Sequence, residues 1–418
     1  MLPDSSHSPT VDCCFVAANA NTVPRALDWL PDSRLVCFAA ANLVHVATPE
    51  RILFSLPGAT GRINMLQWLP LAPAPHIAAC SAAGELLIWK SESGADPGLH
   101  TNWALLLRRQ IAKAAPVNYL RALLLEEPLS LSPSHSPSSQ RVGYLTTFDS
   151  AGRLTLAALD RSPLGEGGAG GALSVDLEAF EPLEFGSRLQ ETVELVSVDA
   201  STLLVLVAGY DKLIHVYACA KREGGALSYQ LSLAGHTNSI TDLAAVRVGQ
   251  STLLASSSQD HCIRLWRLQE LDKSAGVLAD PADLDQFRSK KSYVLQLPGA
   301  RDYSLSMESV LAGHQDAVAS VRWGRLNSSL VLLSASFDFT VAVWRQSQDP
   351  LQQGLWSIEG RLGEVVGNKN AYFGAAMGGG EEDSHCAAIL AYTYNGAFHY
   401  WTAEPQQLEQ EDPVGDSS

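Results

Sequence analysis

The chain has 418 residues, and its 44 acidic and 29 basic side chains give a formal net charge of −15 at pH 7. Such an acidic chain repels a phosphate backbone, which argues against nucleic acid as its main ligand. Hydrophobic residues make up 46% of the chain, enough for a large core, and its 32 glycines and 21 prolines predict many turns. The seven cysteines show no C-x-x-C spacing, so we expect neither disulfides nor a zinc site.

The N-terminal segment, residues 1–18, shows no export signal. Met1–Ser6 lacks both a basic start and a long apolar stretch, so we expect no signal peptide. The longest apolar run of the chain, Leu203–Gly209, is far too short to span a membrane. Together with reduced cysteines, these features predict a soluble protein of the cytoplasm, and also of the nucleus, with no membrane partner.

Short apolar runs of strand type recur along the whole chain. Leu86–Trp89, Ile214–Tyr217 and Phe398–Trp401 each end in an aromatic residue, and Leu43–Val46 and Leu154–Ala157 are similar endings without it. Because many of the runs are continuously apolar rather than alternating, they predict strands covered on both faces. Seven such units follow one another, at about 24–47, 51–90, 103–160, 183–218, 228–267, 303–345 and 354–402.

Two of these units share their spacing without a gap. Both have the series Gly-His, Ser, Asp and Trp, with 24 residues from His to Asp and 6 from Asp to Trp. The residues are His236, Ser256, Asp260 and Trp266 in one unit and His314, Ser334, Asp338 and Trp344 in the other. This series resembles the WD40 repeat, and the resemblance implies four-stranded blades of about 40–45 residues. We therefore predict an all-β fold, a seven-bladed WD40 β-propeller with insertions, over residues 19–402.

The same residues could be mistaken for a catalytic centre. In a WD40 blade the imidazole would reach the Asp in a tight turn, and Ser and Trp would complete a buried hydrogen-bonded network. A Ser/His/Asp trio also has the composition of a nucleophilic triad, but a triad is needed once and this trio occurs in two units. We therefore interpret the trios as structural and expect no catalytic residue.

Several segments lie outside the predicted blades. Val11–Val16 is apolar enough to form a strand that closes the ring against the last unit. Gly165–Gly170 matches G-x-G-x-x-G but lacks the preceding strand and following helix of a dinucleotide site, so we expect a linker and no cofactor. We also expect no metal site, since oxygen ligands at regular spacing are lacking. Insertions are predicted near 128–141, 161–181 and 268–302, and an acidic disordered tail at 403–418.

The last third of the chain carries a more specific resemblance. Val310–His314, Leu332–Asp338, Arg361–Asn368 and Tyr394–Trp401 together resemble the first propeller of the WD40 subunits of the Elongator complex. The resemblance implies a non-catalytic scaffold that binds the large Elongator scaffold subunit and the catalytic acetyltransferase subunit. It also implies a role in modifying the wobble uridine of tRNAs, with tRNA touched at most indirectly. The family has a second propeller, for which this chain has no predicted units.

The loop after the sixth unit is the candidate partner contact. Arg361, Glu364 and Asn368 belong to its most family-specific part, and we predict that they contact a partner. The alternative is that the loop only shapes its blade. Val366 and Ala371 stand where the family has glycine, so the loop is expected to differ in shape.

Two other functions remain open at this point. A generic WD40 adaptor, such as a substrate receptor of a ubiquitin ligase, would have a peptide groove on one face and no acetyltransferase partner. A propeller enzyme would need an irregular cluster of polar residues at one mouth of the channel, and we expect no such cluster.

Overall fold

The computed structural model describes residues 11–12, 20–23, 25–31, 33–92, 94–112, 115–130, 140–161, 173–185, 190–222, 224–271, 292–297, 301–326, 329–347, 354–363, 370–378 and 388–402. The predicted tail at 403–418, the Gly165–Gly170 segment and most of the three predicted insertions lie outside these residues.

The described residues form seven antiparallel sheets, with strands numbered in chain order. The short first strand is β1 (Val11–Asp12). Blade 1 contains β2 (Leu27–Trp29), β3 (Val36–Ala40), β4 (Leu43–Thr48) and β5 (Arg51–Leu56). Blade 2 contains β6 (Ile63–Leu69), β7 (His76–Ser81), β8 (Glu85–Ser91) and β9 (Trp103–Gln110), with a 3₁₀ turn at His100–Asn102 before β9. Blade 3 contains β10 (Val117–Ser130), β11 (Gln140–Asp149), β12 (Arg153–Arg161), β13 (Leu173–Asp176) and β14 (Leu183–Glu184).

The second half of the ring follows the same order. Blade 4 contains β15 (Gln190–Ser197), β16 (Thr202–Gly209), β17 (Leu213–Ala220) and β18 (Ser228–Ala234). Blade 5 contains β19 (Ile240–Val248), β20 (Ser251–Ser258), β21 (Cys262–Glu270), β22 (Ser292–Gln296) and β23 (Asp302–Ala312). Blade 6 contains β24 (Val318–Leu326), β25 (Ser329–Ser336), β26 (Val341–Gln346) and β27 (Trp356–Leu362). Blade 7 contains β28 (Tyr372–Gly378), β29 (Ala388–Thr393) and β30 (Phe398–Thr402).

The blades form a closed ring around a central channel. The first strands of successive blades pack side by side in the order β2, β6, β10, β15, β19, β24 and β28, and β28 packs against β2 again. The predicted all-β, seven-bladed WD40 propeller is thereby confirmed. No helix among the described residues is long and apolar enough to cross a membrane.

The N-terminal strand completes the last blade. β1 pairs antiparallel with β30, so that Val11 lies opposite Trp401 and Asp12 opposite Tyr400. This is the pairing that the ring-closing hypothesis requires, because it covers the open edge of β30. The sequence units are accordingly offset from the blades: the unit at about 228–267 contains the outer strand β18 of blade 4 and the three strands β19–β21 of blade 5.

The predicted insertions contain regular structure as well as loops. β13 lies within the 161–181 insertion and pairs with β12. β22 lies within the 268–302 insertion and pairs with β23, which places it at the outer edge of blade 5. Their sequences have the β-rich character of strands, but they lie between Gly-rich or strongly charged segments that masked this signal.

Burial follows the position of a strand in its blade. All described residues of the second strands β3, β7, β16 and β29 are buried, as expected for strands covered by a neighbouring blade on each face. The outer strands expose much of their length; β9, for instance, is exposed at six of its eight residues. The apolar core therefore lies between the blades, and the inner and outer strands present polar groups to the channel and to solvent.

Candidate functional site

The four predicted network residues of blade 5 form one hydrogen-bonded chain. The imidazole of His236 lies with Nδ1 2.9 Å from Oδ2 of Asp260 and with Nε2 2.8 Å from Oγ of Ser256. The indole Nε1 of Trp266 donates to the same Ser256 hydroxyl at 3.2 Å. The turn before β19 is thus tied to the middle strands of its blade.

Blade 6 repeats this geometry closely. Nδ1 of His314 lies 2.8 Å from Oδ2 of Asp338, and Nε2 lies 2.7 Å from Oγ of Ser334. Trp344 Nε1 donates to Ser334 at 2.8 Å. The hydroxyl of Thr340 adds a donor to Asp338 at 2.7 Å.

The carboxylates of both networks are held in the ionised form. Burial opposes ionisation, but hydrogen bonds from His236 and from the Thr237 amide outweigh it and hold the pKa of Asp260 well below its usual range. In blade 6 burial is likewise outweighed, by His314 and Thr340, and the pKa of Asp338 is also well below its usual range. Each ionised carboxylate therefore stabilises the fold by fixing a turn.

Neither trio offers an attacking group to a substrate. Ser256 is fully buried and Ser334 is 1% exposed. Both hydroxyls are already engaged by a histidine and a tryptophan of their own blade. A nucleophile needs an open approach to its oxygen, so this geometry supports the structural interpretation.

Two related networks were not foreseen from the sequence. In blade 2 the carboxylate of Glu85 accepts from the Thr60 amide at 2.9 Å and from Ser81 Oγ at 3.1 Å. In blade 4 His215 lies 2.6 Å from Asp211 and 2.7 Å from Ser232. Both sets hold a turn as the WD40 network does, but with other residue types and spacings, so a search for Gly-His and Asp-x₅-Trp misses them.

Of the three predicted partner-binding residues, the structure describes one. Arg361 lies on β27, and its Nη2 donates to the carbonyl of Gly313, in the turn that leads into blade 6. A Cβ at Gly313 would lie 2.8 Å from the ends of the Trp344 and Ile358 side chains, so a larger residue in this turn would force those side chains to shift. The contact supports the alternative that Arg361 shapes its blade. Glu364 and Asn368 lie outside the described residues.

A buried polar cluster closes the middle of the channel. Arg25 Nε donates to Asp242 Oδ1 at 2.9 Å, and Tyr119 donates to the same oxygen at 3.1 Å. Thr192 Oγ1 lies 3.4 Å from that oxygen as well. These residues come from blades 3, 4 and 5 and from the segment before blade 1. Burial alone would lower the pKa of Arg25, but the charge of Asp242 outweighs it and raises the pKa, so the arginine stays a cation.

Side chains of the inner strands also bond to the backbone of the next blade. Asp28 accepts from the Trp68 amide at 2.8 Å, and Gln67 accepts from the Ala122 amide at 2.8 Å. Farther round the ring, the same relationship holds for two more pairs, namely Glu194 with the Ala245 amide at 3.3 Å and Asp242 with the Val321 amide at 3.1 Å. These links fix neighbouring blades relative to one another.

The channel opens into a cavity of about 320 Å³ on the face formed by the turns between the first and second strands of the blades, here called the AB face. Its lining includes Arg25, Arg121 and Arg322, together with Trp68 and Trp323. The prediction that no polar cluster lies at a channel mouth is therefore wrong. The cluster left no trace in the sequence, because its members come one or two at a time from separate inner strands.

A larger groove continues outward from this cavity. It has a volume of about 1020 Å³ and lies over blades 3, 4 and 5. Leu124 and Ala245 line both spaces, so the groove and the cavity are contiguous. Within the part of the chain that the structure describes, no group of three His, Cys, Asp or Glu side chains could hold a metal ion. The arrangement is suited to binding an extended segment of a partner.

Comparisons with known proteins agree with this architecture. The model of the family described as "WD domain, G-beta repeat" matches residues 227–267 and 306–345, the two units with identical spacing. Elongator complex protein 2 of Drosophila melanogaster is 36% identical over 427 residues, which covers 95% of this chain and 47% of the relative. The Danio rerio protein of that name is 28% identical, covering 96% of this chain and 44% of the relative.

The human Elongator complex protein 2 is 25% identical over 423 residues, covering 97% of this chain and 46% of the relative. The chain thus spans about half the length of the curated relatives it matches. The similarity extends over nearly the whole chain and is to proteins of one name from distant animals. It agrees with the repeat match and with the seven-bladed ring. Over 95–97% of its length the chain is similar to about half of each Elongator complex protein 2, and its two strong repeats match the WD40 repeat family.

Proposed function

We propose that this chain is a non-catalytic WD40 scaffold subunit of an Elongator assembly. The observation that carries the proposal is the similarity to Elongator complex protein 2 along at least 95% of the chain in relatives from fly, fish and human. A likeness confined to the two strong repeats would have supported only a generic WD40 adaptor. The agreement instead extends through the weak blades, whose sequences carry no common repeat signature.

The geometry supports a scaffold rather than an enzyme. The Ser/His/Asp trios are buried within their blades, and the polar side chains at the channel mouth are largely engaged in holding neighbouring blades together. A closed ring with such links is rigid, and a rigid ring presents its loops in fixed positions to several partners at once. We propose that the partners are the large Elongator scaffold subunit and the catalytic acetyltransferase subunit.

The contribution to wobble-uridine modification of tRNA is then indirect. The net charge of −15 disfavours a close approach of tRNA to most of the surface. Holding the catalytic subunit in place requires protein contacts alone. A location in the cytoplasm, and also in the nucleus, remains a prediction.

Affinity purification of the tagged chain from its own cells, followed by mass spectrometry, tests the proposal. We expect the large scaffold and acetyltransferase subunits to be recovered at a constant ratio to the bait. A tagged WD40 protein of another family, expressed at the same level, is the control for propellers that bind nonspecifically. Recovery of ubiquitin-ligase components instead, or of no stable partner, would contradict the scaffold proposal.

A further inference from the structure

The turns between the second and third strands of the blades share one backbone feature. In six blades the third residue after the second strand has a positive φ, between 66° and 85°. The residues are Gly84, Gly152 and Gly396 in blades 2, 3 and 7, and Lys212, His261 and Phe339 in blades 4, 5 and 6. Glycine adopts this left-handed conformation without strain, so three neighbouring blades carry large side chains where glycine is the favoured residue.

The turn itself does not require these large side chains. Non-glycine residues are rarely found at positive φ, because the Cβ crowds the backbone, and a bulky residue such as Phe339 is rarer there still. The three blades with glycine show that the turn forms with no side chain at this position. Lys212 and His261 are exposed, and neither side chain has a hydrogen bond or an ion pair within the part of the chain that the structure describes. Strained residues of this kind cluster at sites that bind other molecules.

The three strained residues lie on the same face of the ring. Because the second strand of each blade runs antiparallel to the first, these turns lie opposite the AB face, on what is here called the BC face. Blades 4, 5 and 6 are neighbours, since β15 packs against β19 and β19 against β24. Tyr210, which begins the turn of blade 4, is 49% exposed. Tyr210, Lys212, His261 and Phe339 are together called the BC patch.

Further aromatic side chains extend the apolar end of this patch toward blade 7. Phe337, in the same turn as Phe339, lies against Phe373 of β28 with 5.2 Å between the ring centroids. Phe373 in turn stacks on Tyr394 at 5.8 Å. Phe339 is 42% exposed and Tyr394 is 66% exposed, so two adjacent blades present aromatic rings to solvent. Such rings are suited to contact a large apolar side chain of a partner.

The other end of the BC patch provides hydrogen-bond donors for an anion. The ammonium group of Lys212 has three N–H donors, and the imidazole of His261 supplies another. The carboxylates of the same two turns, Asp211 and Asp260, are each hydrogen-bonded to a histidine of the blade networks, at 2.6 and 2.9 Å. Since these acids are engaged within the fold, the charge of the lysine is complementary to a carboxylate brought by another molecule.

We propose that the BC patch binds an extended segment of a partner protein in which an acidic residue lies close to a large apolar one. The acid contacts Lys212 and His261, and the apolar side chain packs on Phe339 and Tyr394. A nucleic acid fits less well, because the patch contains a single lysine and no arginine, whereas a phosphate backbone requires several cations in a row. The inference rests on the proposed scaffold role only in taking the ligand to be a protein.

The test selects a phage-displayed library of random dodecapeptides on the purified chain. We expect enriched peptides to share an acidic and a large apolar residue. K212G/H261G and F339G should each weaken these peptides at least about tenfold. K212G/H261G should not lower the melting temperature, because glycine relieves the strain of both turns. The matched control is A41G, which makes the same change at an exposed left-handed residue of blade 1 and should leave binding unchanged.

A charge reversal tests the polar contact directly. K212E should reject the selected peptides and bind versions in which lysine replaces their acidic residue. Equal affinity of the peptides for the wild type and both glycine variants would overturn the inference, as would a selection that enriches no acidic position. A clear loss of melting temperature in K212G/H261G would assign the side chains to the fold. Displacement of the peptides by unfractionated tRNA at physiological salt would assign the patch to nucleic acid. Because no Elongator subunit enters the test, its failure and a failure of the purification experiment are separate results.

Discussion

Nε of Arg25 donates to Oδ1 of Asp242 across 2.9 Å, although 217 residues separate them in the chain. Arg25 precedes the first blade and Asp242 lies on the inner strand of the fifth, so this ion pair spans the channel. Both side chains are almost fully shielded from solvent, with exposures of 3% and 0%. The pair thus connects the segment before blade 1 to blade 5, whose strands belong to a different sheet from those of blade 1.

Replacing Arg25 by Ala should destabilise the propeller strongly. The substitution leaves Asp242 buried without its cation, and removing one partner of a buried pair typically costs about 3–5 kcal/mol. The neutral pair R25Q/D242N should lose less, because hydrogen bonding persists without an uncompensated charge. Chemical denaturation followed by tryptophan fluorescence measures the difference. The control is R34A, which breaks an exposed ion pair with Glu50 and should cost at most about 1 kcal/mol. Equal losses for R25A and R34A would show that the channel pair does not hold the ring.

Acid should weaken blades 5 and 6 through their two network carboxylates. The pKa of Asp260 and that of Asp338 are lower in the folded state than in the unfolded chain. Their contribution is therefore complete above the unfolded carboxyl pKa of about 4 and is lost as the pH falls below it. Melting temperatures between about pH 5 and about pH 3 should fall less steeply for D260N/D338N than for the wild type. Parallel curves for the two proteins would contradict this assignment.

Removal of residues 1–18 should lower the melting temperature by at least about 5 °C. The truncation deletes β1 and exposes the edge of β30, including the backbone opposite Val11 and Asp12. Differential scanning calorimetry of the full and shortened chains provides the measurement. A matched truncation of the C-terminal residues 405–418 controls for the loss of a terminus. An unchanged melting temperature after the N-terminal deletion would rule out ring closure by β1.

Variants at Arg361 and Glu364 distinguish a role in shaping the blade from a role in contacting a partner. R361A removes the bond to the Gly313 carbonyl, and we expect it to cost about 1 kcal/mol of stability. E364A should leave the melting temperature unchanged and weaken capture of the Elongator subunits if the loop contacts a partner. Thermal melts and quantitative co-purification of both variants distinguish the two roles. Full capture by E364A, together with a stability loss in R361A, would assign the loop to the blade alone.

The sequence predicted the fold well where the same residue types recur at the same spacing. His236 and His314 each stand 24 residues before an aspartate, and those intervals fix a turn and two strands in each blade. Continuous apolar runs then predicted the weaker blades, since a strand between two blades needs apolar groups on both faces. β13 and β22 were missed because their short β-rich runs lie beside Gly-rich or charged segments.

What the sequence by itself determined is the local part of the molecule: the residue spacing that builds each blade, the number of blades, and the hydrogen-bond networks within blades 5 and 6. These depend on neighbours within about forty residues, so a repeated spacing is enough to reveal them. Only the tertiary structure decided the contents of the channel. Arg25, Tyr119 and Asp242 meet because the ring closes, and ring closure brings together residues whose separation in the chain follows no pattern.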